Sequence, residues 1–297
     1  MTHSRRGFTL VELLVTVVIL SLVAASVGQV LVRSFRTSQA QLVQADMQSN
    51  VRTGGLIVPL EFREIGYDSS IVTNTVTSDI ESIAQTAMQF RAMRGWASTC
   101  GTLSLNEIRI RKPVHGLRRP QLTDGFLWYV ENDGNTGIDD QWVPLVVTAI
   151  DENSLCGADS AIALTMSTPV YSPGVNLALS QVYVGGPVRW FERMNFGSFV
   201  DADGSTYLGA RSVSAGEGGY RAVIGPLAAA NGLRLRYYAR NGSLLDPATA
   251  NPASVRSVEV RLIGATTQNI ALSGSATRQA GAMTTTTRVS LRNTLSH

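Results

Sequence analysis

Few residues in this chain have the types and spacing that chemistry needs. The histidines are His3, His115 and His297, too scattered to suggest a base beside a nucleophile or a cluster around a metal. No Gly-x-Ser-x-Gly elbow occurs, and Gly216-Glu217-Gly218-Gly219 is a fragment of a dinucleotide fingerprint with Arg221 at the last glycine position. Lys112 is the sole lysine and lies between Arg111 and Pro113, so there is no Walker-type phosphate loop. Cys100 and Cys156 form no Cys-x-x-Cys pair and leave two readings open. If the domain is exported they form a disulfide, worth about 3–4 kcal/mol in the chain-entropy model; otherwise they are two buried thiols. Asp133, Asn135 and Asp139 offer the oxygen ligands calcium prefers, and Asp201-Ala202-Asp203 is a shorter version. Neither fits the EF-hand template, and ordinary turns use the same residues, so calcium is the one cofactor that the sequence raises. The most unusual position belongs to Glu12, a carboxylate inside an apolar run.

That run covers residues 8–32, long enough at ~1.5 Å per residue to span about 37 Å as a helix. His3, Arg5 and Arg6 precede it, which predicts a cytoplasmic N-terminus and an exported bulk, by a single pass or a cleaved signal. A carboxylate in such a helix costs about 2.5–3.5 kcal/mol on insertion scales and calls for a partner. Val23-Ala24-Ala25 before Ser26 loosely matches a signal-peptidase site, but cleavage there leaves Gly7 and Glu12 unexplained.

Beyond the run, Val43, Met47, Val51, Val58, Phe62 and Ile65 make one helical stripe, with Arg52, Glu61 and Arg63 opposite. Gly54-Gly55 and Pro59 predict a bend or local unwinding, and Gly66 a C-cap. The remainder reads as β. Strands are expected at 107–111, 126–130, 142–150 (an edge, from Pro144), 181–184, 187–191, 221–224, 233–237, 258–262 and 287–291. Asn241-Gly242 signals a hairpin turn. The fold class is therefore α+β: a long N-terminal α-helix, half membrane-spanning and half amphipathic, packed on an antiparallel β-sheet head.

Charge narrows the partners. There are 25 basic and 22 acidic residues, and loss of Arg5 and Arg6 with a leader leaves near-neutrality. No nucleic-acid partner is expected from that balance. The basic cluster from Arg111 to Arg119 reads as a solvated loop, with contact to anionic lipid, polysaccharide or DNA as its alternative.

Arg5-Arg6-Gly7-Phe8-Thr9-Leu10-Val11-Glu12 resembles the class III signal of type IV pilins and type II secretion pseudopilins. The resemblance implies cleavage after Gly7 by a prepilin peptidase and N-methylation of Phe8. It also supplies the missing partner of Glu12: the terminal amine of a neighbouring subunit, an ion pair that sets axial register during assembly. Gln48-Ser49-Asn50-Val51-Arg52, Leu60-Glu61-Phe62-Arg63-Glu64-Ile65-Gly66-Tyr67 and the terminal strands around Arg236-Tyr237-Tyr238, Val255–Leu262 and Arg288–Asn293 are similar to PilW-type minor pilins and their GspJ pseudopilin relatives. On that basis residues 1–7 are a leader, 8–66 the assembly helix and 67–297 a β-rich head; the region at about 70–225 is larger than a GspJ head needs and reads as an elaboration of the sheet or an inserted subdomain.

The resemblance implies a non-enzymatic minor pilin at or near a filament tip. It would work with other minor pilins, the major pilin, the prepilin peptidase and the inner-membrane assembly platform. The chain would start as a single-pass inner-membrane protein with a periplasmic head and later reach the cell surface. Alternatives are a GspJ-like pseudopilin of type II secretion, or a tip adhesin using exposed tryptophans such as Trp96 or Trp142.

Overall fold

A computed structural model describes residues 9–63, 65–70, 75–100, 106–130, 141–166, 184–271 and 278–291. Gly7, Phe8, the calcium candidates Asp133, Asn135 and Asp139, and all but Val184 of the strand expected at 181–184 lie outside them. Val184 itself sits in a turn.

The chain opens with α1 (Leu10–Arg63), a 54-residue helix. It runs through Gly54, Gly55 and Pro59 without interruption, so the expected unwinding does not occur. The reason is packing. Gly54 and Pro59 are buried, and a Cβ at Gly54 would lie 2.9 Å from Leu262 Cδ1, so its missing side chain lets the sheet approach. The predicted stripe is the buried one: Met47, Val51, Val58, Phe62 and Ile65 are all at or below 5% exposure. The described helix reaches Arg63, Ile65 is no longer helical, and the Gly66 N–H donates to Asp79 Oδ2 at 3.0 Å.

A hairpin of β1 (Tyr67–Ser70) and β2 (Thr75–Ser78) follows. Next come β3 (Ile80–Ile83), β4 (Ala87–Cys100), β5 (Glu107–Arg111), β6 (His115–Gly116), β7 (Gly125–Val130), β8 (Gln141–Leu145), β9 (Val147–Cys156) and β10 (Asp159–Met166). The C-terminal half adds β11 (Pro187–Val200), β12 (Thr206–Ser212), β13 (Arg221–Leu227), β14 (Leu233–Tyr238), β15 (Leu244–Leu245), β16 (Ser257–Ala271) and β17 (Arg278–Ser290). The strand expected at 142–150 is thus two, parted at exposed Val146. Gly242, at φ 81°, makes the predicted turn between β14 and β15.

Fifteen of the described strands form one sheet, ordered β15-β14-β16-β13-β12-β11-β4-β5-β10-β9. β17 lies beside β16, β3 and β6 beside β4, and β7 joins β11 to β8; every pairing is antiparallel. Two apolar cores fill it. The first joins the α1 stripe to β3, β4 and β11–β17 around Phe62, Phe90 and Phe196, whose ring centroids lie 5.4–6.0 Å apart. The second holds Ile108, Ile110, Phe126, Trp128, Ile162, Leu164, Val188 and Trp190 and includes no residue of α1.

β4 and β11, fourteen residues each, thread both cores. Met88, Phe90 and Ala92 of β4 serve the first, while Ala97 serves the second. The switch from even to odd positions is a bulge: Met93 pairs with Phe191 and Gly95 with Trp190, leaving Arg94 as the extra residue.

Candidate assembly interface

From Leu10 to Leu42 every described residue of α1 is exposed except the half-buried Gly28 and Ala40. Leu10 stands at 79% and Phe35 at 69% exposure. This segment is long and apolar enough to cross a membrane, and none of its most apolar window is buried within the chain. Each such side chain stabilises whatever buries it by about 1.5–3 kcal/mol, so the segment needs lipid or other helices. Its hydroxyls suit both: Thr16, Ser21 and Ser26 each donate to the carbonyl three residues back at 2.8 Å, so these three hydroxyl hydrogens do not face an apolar neighbour unbonded.

Glu12 lies exposed in the first turn. Its N–H meets Thr9 Oγ1 at 3.3 Å and Thr9 O at 3.1 Å, making Thr9 the helix cap. Thr9-x-x-Glu12 is the spacing of a capping box, a signal present in the sequence and passed over there. A carboxylate at this end also favours the positive pole of the helix dipole. The cap fixes the Glu12 backbone and leaves its side chain exposed among the described residues, within reach of a cation from outside the chain.

At its other end α1 is anchored by charge as well as apolar contact. Glu61, expected on the solvent side, instead meets Arg94 Nη1 at 3.3 Å. Arg94, the bulge residue, also reaches Glu192 Oε2 at 2.8 Å through Nε. Glu192 lies 3.6 Å from Arg118, and Arg118 grips the fully buried Asp124 carboxylate with two nitrogens, at 2.7 and 2.5 Å. The chain Glu61–Arg94–Glu192–Arg118–Asp124 ties the helix to the second core. Burial pushes the Glu192 carboxyl up, but bonds from Ser212 and Arg94 and the Arg94 and Arg118 charges outweigh it, holding the pKa below its ordinary value. Glu81 is lowered in the same way: burial opposes, and Arg193 and Gln89 win. Asp79 goes the other way, raised because burial outweighs Arg189, the Gly66 N–H and Arg91.

The other sequence candidates find their places too. Cys100 and Cys156 form a disulfide with Cα atoms 5.9 Å apart, joining the ends of β4 and β9. The Arg111–Arg119 cluster borders a cleft of about 720 Å³ lined by Arg111, Lys112, Arg119 and Asp159. Acids neutralise it: Arg111 lies 3.7 Å from Asp159, Arg119 pairs with Glu152, and Arg118 is spent on Asp124. In the turn after β11, Asp201 Oδ1 accepts the Ala202 N–H, while Asp203 accepts the Ser205 N–H and the Tyr207 hydroxyl, so their oxygens serve the turn. Among the described residues no group of three His, Cys, Asp or Glu could hold a metal. Trp142 is half-buried under the Arg189 guanidinium at 4.1 Å, and Trp96, 43% exposed, stacks on His115 at 4.8 Å.

Residues 2–28 match the model of the prokaryotic N-terminal methylation motif. No curated protein and no solved structure matches the chain. The motif, with a long apolar N-terminal helix leading into an antiparallel sheet, marks a type IV pilin-like protein. It implies processing by a prepilin peptidase and assembly with other pilins, the role of a family that is structural rather than enzymatic, and fits anchoring in a membrane before assembly.

Proposed function

We propose that the chain is a PilW-like minor pilin, cut after Gly7, methylated on Phe8, and built into a type IV pilus at or near its tip, where it promotes assembly. The observation that carries this is the exposed half of α1 with Glu12 at its capped start. Stacked helices would bury the apolar surface, and Glu12 would pair with the terminal amine of a neighbour to set register. Other minor pilins, the major pilin and the inner-membrane platform are the partners; the head is periplasmic until the filament carries it to the cell surface. The second core supports a tip position: it packs none of α1, so the head extends past what an assembly helix requires, which suits initiation or capping better than repeated stacking.

A GspJ-like pseudopilin is the second reading, since the same helix would serve a short periplasmic piston. Deletion of the gene separates the two: loss of surface pili with normal protein export supports the pilus, and the reverse supports secretion. Mass spectrometry of the native N-terminus should give methyl-Phe8, whereas a start at Ser26 would overturn both.

A further inference from the structure

Sheets guard their outer strands, because a row of unpaired N–H and C=O groups accepts any extended chain. Several outer strands here are guarded. β15 has two residues, and β8 carries Pro144. On β9, irregularities break the ladder with β10, and Arg109 and Lys112 cap the Leu155 and Glu152 carbonyls. β17 is different. It is 13 residues long, and among the described residues only β16 pairs with it. Residues 279–290 contain no Pro, Lys, Asp or Glu and include Thr284-Thr285-Thr286-Thr287. Their one charge, on Arg288, folds inward: Nε donates to Ser257 Oγ at 3.0 Å and the guanidinium covers the Tyr238 ring at 3.8 Å, on the inner side of β16.

The register says which groups face out. Ile263 donates its N–H to Gly232 and accepts from Ala228, both at 2.8 Å, so its backbone faces β13 and β14. Leu262 and Gly264 therefore face β17, opposite Thr285 and Met283. It follows that Thr284, Thr286 and Arg288 turn their N–H and C=O groups to the outer edge.

We propose that this edge of β17 receives an extended segment of a neighbouring pilin-type subunit, which joins the sheet as an added strand. The inference rests on the assembly role proposed above. The occupant follows from position: Leu262 of β16 sits at Gly54 of α1, and Gly264 at Val51 and Met47, so the β16–β17 ribbon runs along α1 toward its exposed half. A subunit drawn in by that half arrives beside the open edge. Thr-rich backbone with no guarding charge suits strand addition.

In cells lacking the native gene, full-length Thr286→Pro removes an outward N–H and leaves the β16 ladder intact. The expected result is an unchanged melting temperature with filament yield down about tenfold, from a lost backbone bond and the clash of the ring. A photo-crosslinker at Thr286 in the otherwise native chain should give an adduct with another pilin-type subunit, which decides the matter if the proline variant misfolds. Wild-type yield from a folded Thr286→Pro chain, no adduct, or an adduct only with a second copy overturns the proposal. Glu12→Ala, run alongside, separates the failures: if it stops assembly while Thr286→Pro does not, the edge proposal falls alone, and if neither does, the assembly reading falls as well.

Discussion

Glu12 and Gly264 show how much a lone position can decide. Glu12→Ala should leave processing and membrane insertion intact while filament yield drops sharply. Normal piliation by that variant, measured on sheared filaments, would remove the register role. Gly264 acts through absence: a Cβ there would fall 2.3 Å from Val51 Cγ2, a stiff β-branched neighbour. Gly264→Ala should therefore destabilise the head by about 1–3 kcal/mol. Gly218→Ala, with nothing within 4 Å of its added methyl, serves as the control and should melt like wild type. Phe62→Ala, in the aromatic cluster, should cost about 3–5 kcal/mol in the same assay.

The helix stripe was readable because period and burial coincide. Met47, Val51, Val58 and Phe62 repeat at steps of four and seven, and the sheet supplies an apolar partner along that line. The interruption expected at Gly54-Gly55 was read from local propensity, which tertiary packing overrides. Strands with clean alternation, such as β5 and β14, were visible. β4 was not: Ala, Gly, Ser and Arg dilute its pattern, and the bulge at Arg94 breaks its period midway. Nor could the sequence show the ion-pair chain, since Glu61, Arg94, Glu192 and Arg118 come from four distant segments. That chain and the separate Glu81–Arg193 pair have a pH signature. Glu81 and Glu192 have folded-state pKa values below the ordinary 4.5, so their stabilisation is complete above 4.5 and is lost as pH falls through the lower folded values. Asp79 opposes this, its contribution being full below 3.8 and lost as pH rises through its raised folded value. Glu192→Gln should flatten the decline in melting temperature below about pH 4.5. An identical acid profile would mean that Glu192 is not held ionised by the fold.

At the scale of the molecule, one apolar cluster seats the helix and the other stands clear of it. The sequence marked off a surplus region but could not show how it attaches, because shared strands leave no linker composition to read. The disulfide closes the far core, tying the end of β4 to β9. Paired Cys100→Ser and Cys156→Ser changes should destabilise that core by roughly 2–4 kcal/mol. Hydrogen exchange should then quicken in 107–166 and stay slow around Phe62 and Val258; uniform acceleration would show that the two cores unfold as one. Because β4 and β11 run unbroken from one cluster to the other, the outer lobe has no hinge. A tug on that lobe against an immobilised helix is carried along both strands and loads their ladders with β3 and β12 in the first core, so those bonds must shear together rather than peel open one at a time. Such a head would hold its shape under tension until those ladders yield.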